Sequence, residues 1–548
     1  MNPPPFEGER ALIEKLRTLD HRAFLRDGAR AVGALVRAHD GVFPDAAPNR
    51  NPLSFQALQQ YLLSLLHEPP LAERGGQLEY SIDDILGQFL AFRALHPCLH
   101  AAPGIDGWER ITRKLWFTAL EQELLSRTPK YEIARAWVMF EKIWPDLLAR
   151  GKFHASTGSQ RSAAGAMHNA LLFTAALYVA NGWVEDRRAY FANTTLGGSI
   201  DALVASFSVR LQDLHPRLAP QQPYPDRAFL NPFIGTPVVV LPGEELLAPD
   251  PAALFVAFER TMTLKVLRES VLEDPGEGFD TYSRAIGNVY EEYVNRVLRA
   301  DGVQLGGRYL PEFRYGPPGQ ELDSPDAFVL RPRRSIVIEC KATRFPNDVE
   351  QLLRDPGEQL LGWIRKILGA TPHRAPLDQG QTFFRQAAGL QQLDGHDLGD
   401  ALYLIAIYPT VPQMLNSMRW REDWLCQRLP ELQCDLFSRV VFVSVRDLEI
   451  ALSASQAPGH VGTFADLISA WWTELGNAEL RNLPLSPSLG DYILQLHPVV
   501  AQRELSMLQE ARAELYLATE AAGFAASAWS MPKGLWDQPL VRAAQLIR

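Results

Sequence analysis

The feature that most constrains this chain is a short apolar run carrying two charges. Ile336-Val-Ile-Glu339-Cys340-Lys341 is rich in β-branched residues and reads as a buried strand. Side chains alternate along a strand, so Glu339 and Lys341 share one face, while Ile336, Ile338 and Cys340 share the other. A buried charge without a partner is costly, so the fold must bring a compensating group to this face. Pro325-Asp326 upstream supplies a candidate. The midpoint between the two carboxylates falls between Pro332 and Arg333, in the turn-like Arg331-Pro-Arg-Arg334. A hairpin folded there sets Asp326 about opposite Glu339, with Lys341 beyond them. Two converging carboxylates repel unless a proton or a cation intervenes. Oxygen ligands of this kind suit magnesium or manganese, and the Cys340 carbonyl is a further candidate oxygen.

The surroundings of this hairpin read as an α/β alternation. Strand-like segments occur at Ala327–Leu330, Ser335–Cys340, Ala401–Tyr408 and Arg439–Val445, with helical stretches such as Val349–Leu368 between the later ones. A helix is expected from about Thr281 to Arg299. Tyr290, Val294, Val297 and Leu298 form its apolar stripe, and Glu291 lies at the stripe's edge. Residues from Glu7 to about Leu214 read mostly as helices. These include the periodic Phe55–Leu66, a helix start at Ser81-Ile-Asp-Asp84, Tyr131–Leu148 and Ala163–Ala180. Trp116, Trp137, Trp144 and Trp183 are expected in the core. Nine of the 40 prolines lie between Pro216 and Pro251. Proline removes a backbone donor and breaks helices, so this stretch reads as a linker with one short strand at Pro237–Leu241. Helical pattern resumes at Ala252–Leu272 and again from Thr463 onward, most clearly at Leu505–Ala521. The expected domains are a helical N-terminal region 1–215 that senses or binds, a Pro-rich linker 216–251, an α/β unit 252–460 and a helical C-terminal region 461–548.

Composition removes several classes of function. With 47% hydrophobic and 22% charged residues over 548 positions, the chain is globular in type rather than disordered. No apolar run reaches the roughly 18 residues a membrane span needs. The opening MNPPPFEGER lacks a signal-peptide pattern, so a cytoplasmic protein with no membrane partner is expected. Four scattered cysteines and no Cys-x-x-Cys pair argue against a disulfide framework or structural zinc. His96-Pro-Cys98-Leu-His100 has no second ligand cluster and reads as a loop. The net charge of −10 excludes coating of nucleic acid by bulk charge, but not a local basic groove. No phosphate-binding loop, nucleophile elbow or dinucleotide fingerprint is present.

Taken in order, Gly287-x-x-x-Glu291 on a helix, Pro325-Asp326 opening a strand and Glu339-x-Lys341 after a hairpin-length gap resemble the PD-(D/E)xK nuclease superfamily, the restriction-endonuclease-like fold. The resemblance covers roughly 281–445, under a third of the chain. It implies an α/β nuclease core, a mixed central sheet flanked by helices, embedded between a large all-α N-terminal region and a helical C-terminal region. It also implies Mg2+- or Mn2+-dependent hydrolysis of phosphodiester bonds. In that reading Asp326 and Glu339 bind the metal, joined by the Cys340 backbone carbonyl. Glu291 supports it or helps hold a second ion, and Lys341 orients the attacking water and stabilises charge on the phosphate. Gln359-Leu-Leu-Gly-Trp363 is the nearest match to a Gln-x-x-x-Tyr pattern of many relatives, with Gln386 as a rival. Arg344 is the better phosphate candidate. Arg331, Arg333 and Arg334 sit roughly 20 Å away at the hairpin tip and would reach only flanking DNA.

The expected function is therefore a DNA endonuclease, with RNA open on the same chemistry. Size and layout resemble effectors of bacterial restriction and anti-phage defence, an analogy of architecture. The alternatives are a repair or recombination nuclease of resolvase or transposase type, and a catalytically silent scaffold subunit. From 280 to 450 the chain carries about 20 basic and 23 acidic residues, near −3, so substrate engagement is expected to draw on other segments, a second copy in a homodimer, or a separate partner subunit.

Overall fold

In the computed structural model the described residues fall mainly within 129–153, 157–210, 236–249, 279–343, 356–368, 376–432, 435–456, 461–477, 487–497 and 504–524. Expectations for Phe55–Leu66, Ser81–Asp84, His96–His100, Trp116 and most of 252–272 lie outside them.

The chain opens, among these residues, with α1 (Pro129–Trp137), which continues through a π-helical stretch, Val138–Ile143, into α2 (Trp144–Ala149). Then follow α3 (Thr157–Val179), strand β1 (Trp183–Val184), α4 (Arg187–Phe191), α5 (Ile200–Phe207), β2 (Ser208–Arg210), β3 (Val238–Leu241) and β4 (Glu245–Leu247). Helix α6 (Phe279–Leu298) leads into β5 (Arg308–Pro311), the small hairpin β6 (Arg314–Tyr315) and β7 (Leu322–Asp323), then β8 (Ala327–Leu330) and β9 (Ile336–Ala342). Helices α7 (Pro356–Leu368) and α8 (Pro376–Gln386) precede β10 (Leu402–Tyr408). After β11 (Val440–Ser444) come α9 (Val445–Ser455), α10 (Phe464–Leu475), α11 (Leu489–Leu496) and α12 (Ser506–Ala521).

Two sheets organise these elements. The larger has the order β11-β10-β9-β8-β5. Strands β5, β8 and β9 are antiparallel to one another, whereas β10 and β11 run parallel to β9. A parallel return needs a crossover, which α7 and α8 supply between β9 and β10. Parallel strands are covered on both faces and so read as continuous apolar runs. This is why Leu402–Tyr408 and Val440–Ser444 are buried at every position. One face, carrying Val329, Ile338, Leu404 and Val443, packs on α6 through Val289, Tyr293, Val294 and Val297. The other, carrying Phe328, Val337, Tyr403 and Phe442, packs on α7 and α8 through Leu360, Ile364 and Phe383.

The N-terminal region is not all-α. Strands β1 and β2 pair with β4 and β3 in a four-stranded sheet of order β1-β4-β3-β2. Two of those strands, β3 and β4, come from the Pro-rich stretch expected as a linker. Pro237 and Pro242 flank β3 rather than interrupt it, so the paired residues keep their donors. The core on the α6 side is continuous from Ile133 of α1 through Val239, Tyr293 and Ile468 to Leu515 of α12. The N-terminal helices, the small sheet, the large sheet and the C-terminal helices thus share one apolar interior. Its polar centre is Arg135, 2% exposed, which donates to Glu259 at 2.6 Å and to both oxygens of Glu449 at 2.7 and 3.1 Å. The Tyr293 hydroxyl donates to the same Glu449 carboxylate.

Candidate active site

The β8–β9 hairpin aligns Ala327 with Ile338 and Val329 with Ile336. Continued by one step, that register sets Asp326 opposite Glu339, and directly opposed residues of an antiparallel pair point to one face. Strand β9 runs on past the start of β8, so the Cys340 N–H has no ladder partner there. The Asp326 carboxylate takes its place and accepts that N–H at 2.6 Å. The N–H and C=O of one strand residue face the same neighbour, so the Cys340 carbonyl is directed to this edge as well. Glu339, 4% exposed, accepts from the Lys341 ammonium at 2.6 Å and from the Tyr403 hydroxyl at 3.3 Å. Tyr403 stands on β10, one position along the chain from Leu402 and Leu404, whose side chains enter the opposite core.

Glu291 comes from the other side of the sheet. Helix α6 buries Tyr290, Tyr293 and Val294, which leaves Glu291 half-buried at the margin of the apolar stripe. Its carboxyl is pushed up to about 7, first by burial, then by Glu312 and Glu339, with Lys341 pulling the other way. Burial also holds Asp326 well above the usual carboxylate range, reinforced by Glu339 and Glu291 and opposed by Lys341 and the Cys340 N–H. Burial alone would lower the Lys341 ammonium, but Glu339 and Asp326 outweigh it and keep the lysine firmly protonated. The Cys340 thiol is pushed up by burial and the same carboxylates, and its side chain packs partly buried against the α6-side core.

One member of this group was not expected from sequence. Glu312 follows β5, and its N–H donates to the Asp326 carbonyl at 3.0 Å. Its carboxyl is raised by burial and by Asp323 and Glu339, and lowered by Lys152. The available signal was register: β5 pairs with β8 so that Pro311 opposes Ala327, which sets Glu312 opposite Asp326.

The remaining expected residues divide. Arg331, Arg333 and Arg334 lie at the far end of the hairpin. Arg331 pairs with Asp466 at 2.6 Å, and Arg334 donates its N–H to Asp400 at 3.1 Å and its guanidinium to Thr473 at 3.4 Å. Two of the three tip arginines are therefore engaged by neighbouring side chains, away from the carboxylates. A cavity of about 480 Å3, lined by Phe384, His396 and Arg439 among others, opens at that same far end. Gln359 falls on α7, where its side chain is outside the described residues, as is all of Arg344; Gln386 ends α8 and is exposed.

Glu291, Glu312, Asp326 and Glu339 against the single ammonium of Lys341 leave the site short of positive charge. The donors are hard oxygens, the type that takes magnesium or manganese. In chemistry, therefore, the residues fit a divalent cation. They are not gathered into a cage: among the described residues no three His, Cys, Asp or Glu side chains converge closely enough to hold a metal ion. Glu339 is turned to Lys341 and Asp326 to the Cys340 N–H instead. No helix among the described residues is long and apolar enough to cross a membrane. No family model, curated protein or solved structure matches the chain.

Proposed function

We propose that this chain is a metal-dependent nuclease that hydrolyses phosphodiester bonds in DNA, built on a PD-(D/E)xK-type core. The observation that carries the reading is the register of β8 on β9, which brings the Asp of Pro325-Asp326 against Glu339-x-Lys341 at one sheet end. A helix carrying Glu291 before the hairpin, and a helix-then-parallel-strand return after it, agree with the ordered motif. Asp326, Glu339 and the Cys340 carbonyl would hold the cation, with Glu291 and Glu312 beside them. When bound, Mg2+ or Mn2+ lowers the pKa of a coordinated water and neutralises charge on the phosphate.

The chain's own residues have separable tasks. Lys341, kept protonated by Glu339 and Asp326, donates to a phosphate oxygen and offsets charge developing there; it does not act as the base. Glu291, which comes from α6 beside the proposed ligands, would support the cation or take a proton from water. The Asp326–Cys340 contact fixes the orientation of one carboxylate against the strand. The intact set speaks against a silent scaffold.

The test is cleavage of supercoiled plasmid, linear duplex, single-stranded DNA, a four-way junction and RNA, each with magnesium, manganese or chelator. Metal-dependent cutting by the wild type, lost at least 100-fold in folded Lys341→Ala and Asp326→Ala proteins, is the expected result. No cutting on any substrate and no metal binding would end the reading. Junction-only cutting would move it to the resolvase alternative. The defence setting rests on layout, and phage plating on cells with and without the chain checks it.

A further inference from the structure

A site with four carboxylates repels a polyanion, so the strand must be led in by cations close by. Among the described residues, most cations around this end of the sheet are already engaged. Lys341 is held by Glu339, Arg296 by Glu292 and Asp146, and Arg314 by Asp323. Arg299 donates to the Asn295 carbonyl and lies over Tyr309. Lys152 and Arg284 are exposed and have no ion-pair partner among the described residues.

Both line up with Glu291. Arg284, Asn288 and Glu291 are spaced i, i+4, i+7 along α6 and so share one face. The Asn288 side-chain amide donates to the Lys152 carbonyl at 3.3 Å. This puts the loop after α2 about one helical turn from Glu291. That loop is well tied. The Gly151 and Lys152 N–H groups donate to Leu148 and Leu147 at 3.1 and 3.0 Å, and the Phe153 ring packs on Trp144 at 4.5 Å. Asp146 of α2 pairs with Arg296 two turns further along α6. The charge of Lys152 is felt at Glu312, the carboxylate whose charge weighs most on Glu291.

We propose that Lys152 and Arg284 form a phosphate-binding shelf that seats the backbone of a nucleic-acid strand beside the carboxylates, with the N-terminal helical region supplying Lys152. The inference rests on the nuclease reading above. Arg284 and Glu291 are about 10 Å apart along the helix axis, which spans about three phosphates of one strand. Contacts of this kind position the strand without reading its sequence.

The experiment is fluorescence anisotropy of labelled duplex and single-stranded oligonucleotides in chelator, between 50 and 200 mM salt, on wild type, Lys152→Ala, Arg284→Ala, the double variant and Lys152→Arg. The Asn288 contact is to the Lys152 backbone, so Lys152→Ala leaves the loop's anchor in place. Each alanine is expected to weaken binding several-fold, equally across sequences, and to reduce the slope of log affinity against log salt by about 1. Lys152→Arg is expected to restore both. In cleavage assays the alanine variants raise KM and leave kcat near the wild-type value. A double variant that binds with wild-type affinity and slope, while the wild type does bind, overturns the shelf and leaves the nuclease reading standing. A wild type that neither binds nor cuts nucleic acid overturns both.

Discussion

Glu291→Gln separates the electrostatics of the site from its catalysis, because its effect shows in stability. The folded-state carboxyl sits at about 7, against an ordinary 4.5. The folded protein therefore holds this proton more tightly than the unfolded chain does. The stabilisation from protonation is present in full below about 4.5 and is lost as pH rises through about 7. At about 1.4 kcal/mol for each pH unit between 4.5 and about 7, the ceiling is about 3.5 kcal/mol. Solvent at this half-buried position, and sharing of the proton with Glu312 and Asp326, bring the expected value to about 1–2 kcal/mol. Glutamine has no proton to lose. Relative to wild type, Glu291→Gln should gain that amount at pH 8 and gain nothing at pH 4.5. In a chain of this size the gain is about 1–2 °C in apparent Tm, read by scanning fluorimetry at matched ionic strength. Millimolar Mg2+ at pH 8 should close the gap, since a bound cation relieves the repulsion the glutamine removes. Melting curves that shift in parallel from pH 4.5 to 8 would refute the claim that Glu291 shares a crowded carboxylate site.

Three further outcomes are expected. Arg135→Met leaves Glu259 and Glu449 facing each other in the interior and should cost about 3–5 kcal/mol, with Glu449→Gln in the same chain recovering part of it; urea midpoints measure both. Gly307→Ala builds a Cβ 2.5 Å from the Leu330 carbonyl oxygen, a backbone atom that cannot swing aside, and should cost about 1–3 kcal/mol, seen as earlier loss of hydrogen-exchange protection in β5. Arg331→Ala breaks a partly exposed ion pair with Asp466 and should change stability by under about 1 kcal/mol and cleavage by nothing measurable, because the hairpin tip stands away from the carboxylates.

How far the sequence could be read depended on where burial leaves a pattern. Strands β9, β10 and β11 are covered on both faces, so their apolar runs were visible to within a residue or two, and the Asp326–Glu339 pairing followed from hairpin arithmetic. Strand β5 was not visible. Arg308-Tyr-Leu-Pro311 is an edge strand with exposed ends and a proline, so it carries neither alternation nor a continuous run. Missing it meant missing Glu312. The small sheet was hidden for a similar reason: β1, β2 and β4 are two or three residues long, too short for any period to register. Arg135 and Glu449 are 314 positions apart, and Lys152 and Asn288 are 136 apart. No local pattern encodes such contacts, so the dependence of the site on the N-terminal helices could be seen only in three dimensions.

That dependence runs through α6. A buried arginine with two carboxylates seldom adds net stability over an apolar replacement of similar volume, since desolvation offsets the attraction. Its hydrogen bonds do fix geometry. Tyr293 is anchored to Glu449, which is anchored to Arg135 on α1. Asn288 and Arg296 tie the same helix to the loop after α2 and to Asp146, one point on either side of Glu291. Apolar packing against a sheet tolerates small rotations of a helix, because a rotated stripe still buries most of its surface. Three directional contacts at 288, 293 and 296 do not tolerate them. Glu291 stands two residues before Tyr293, about 200° around the helix. A rotation of α6 that moved the Tyr293 hydroxyl off Glu449 would therefore swing Glu291 through the same angle at the sheet end. The helix that lends its carboxylate to the site is thus set in place by the N-terminal region as much as by the sheet it covers.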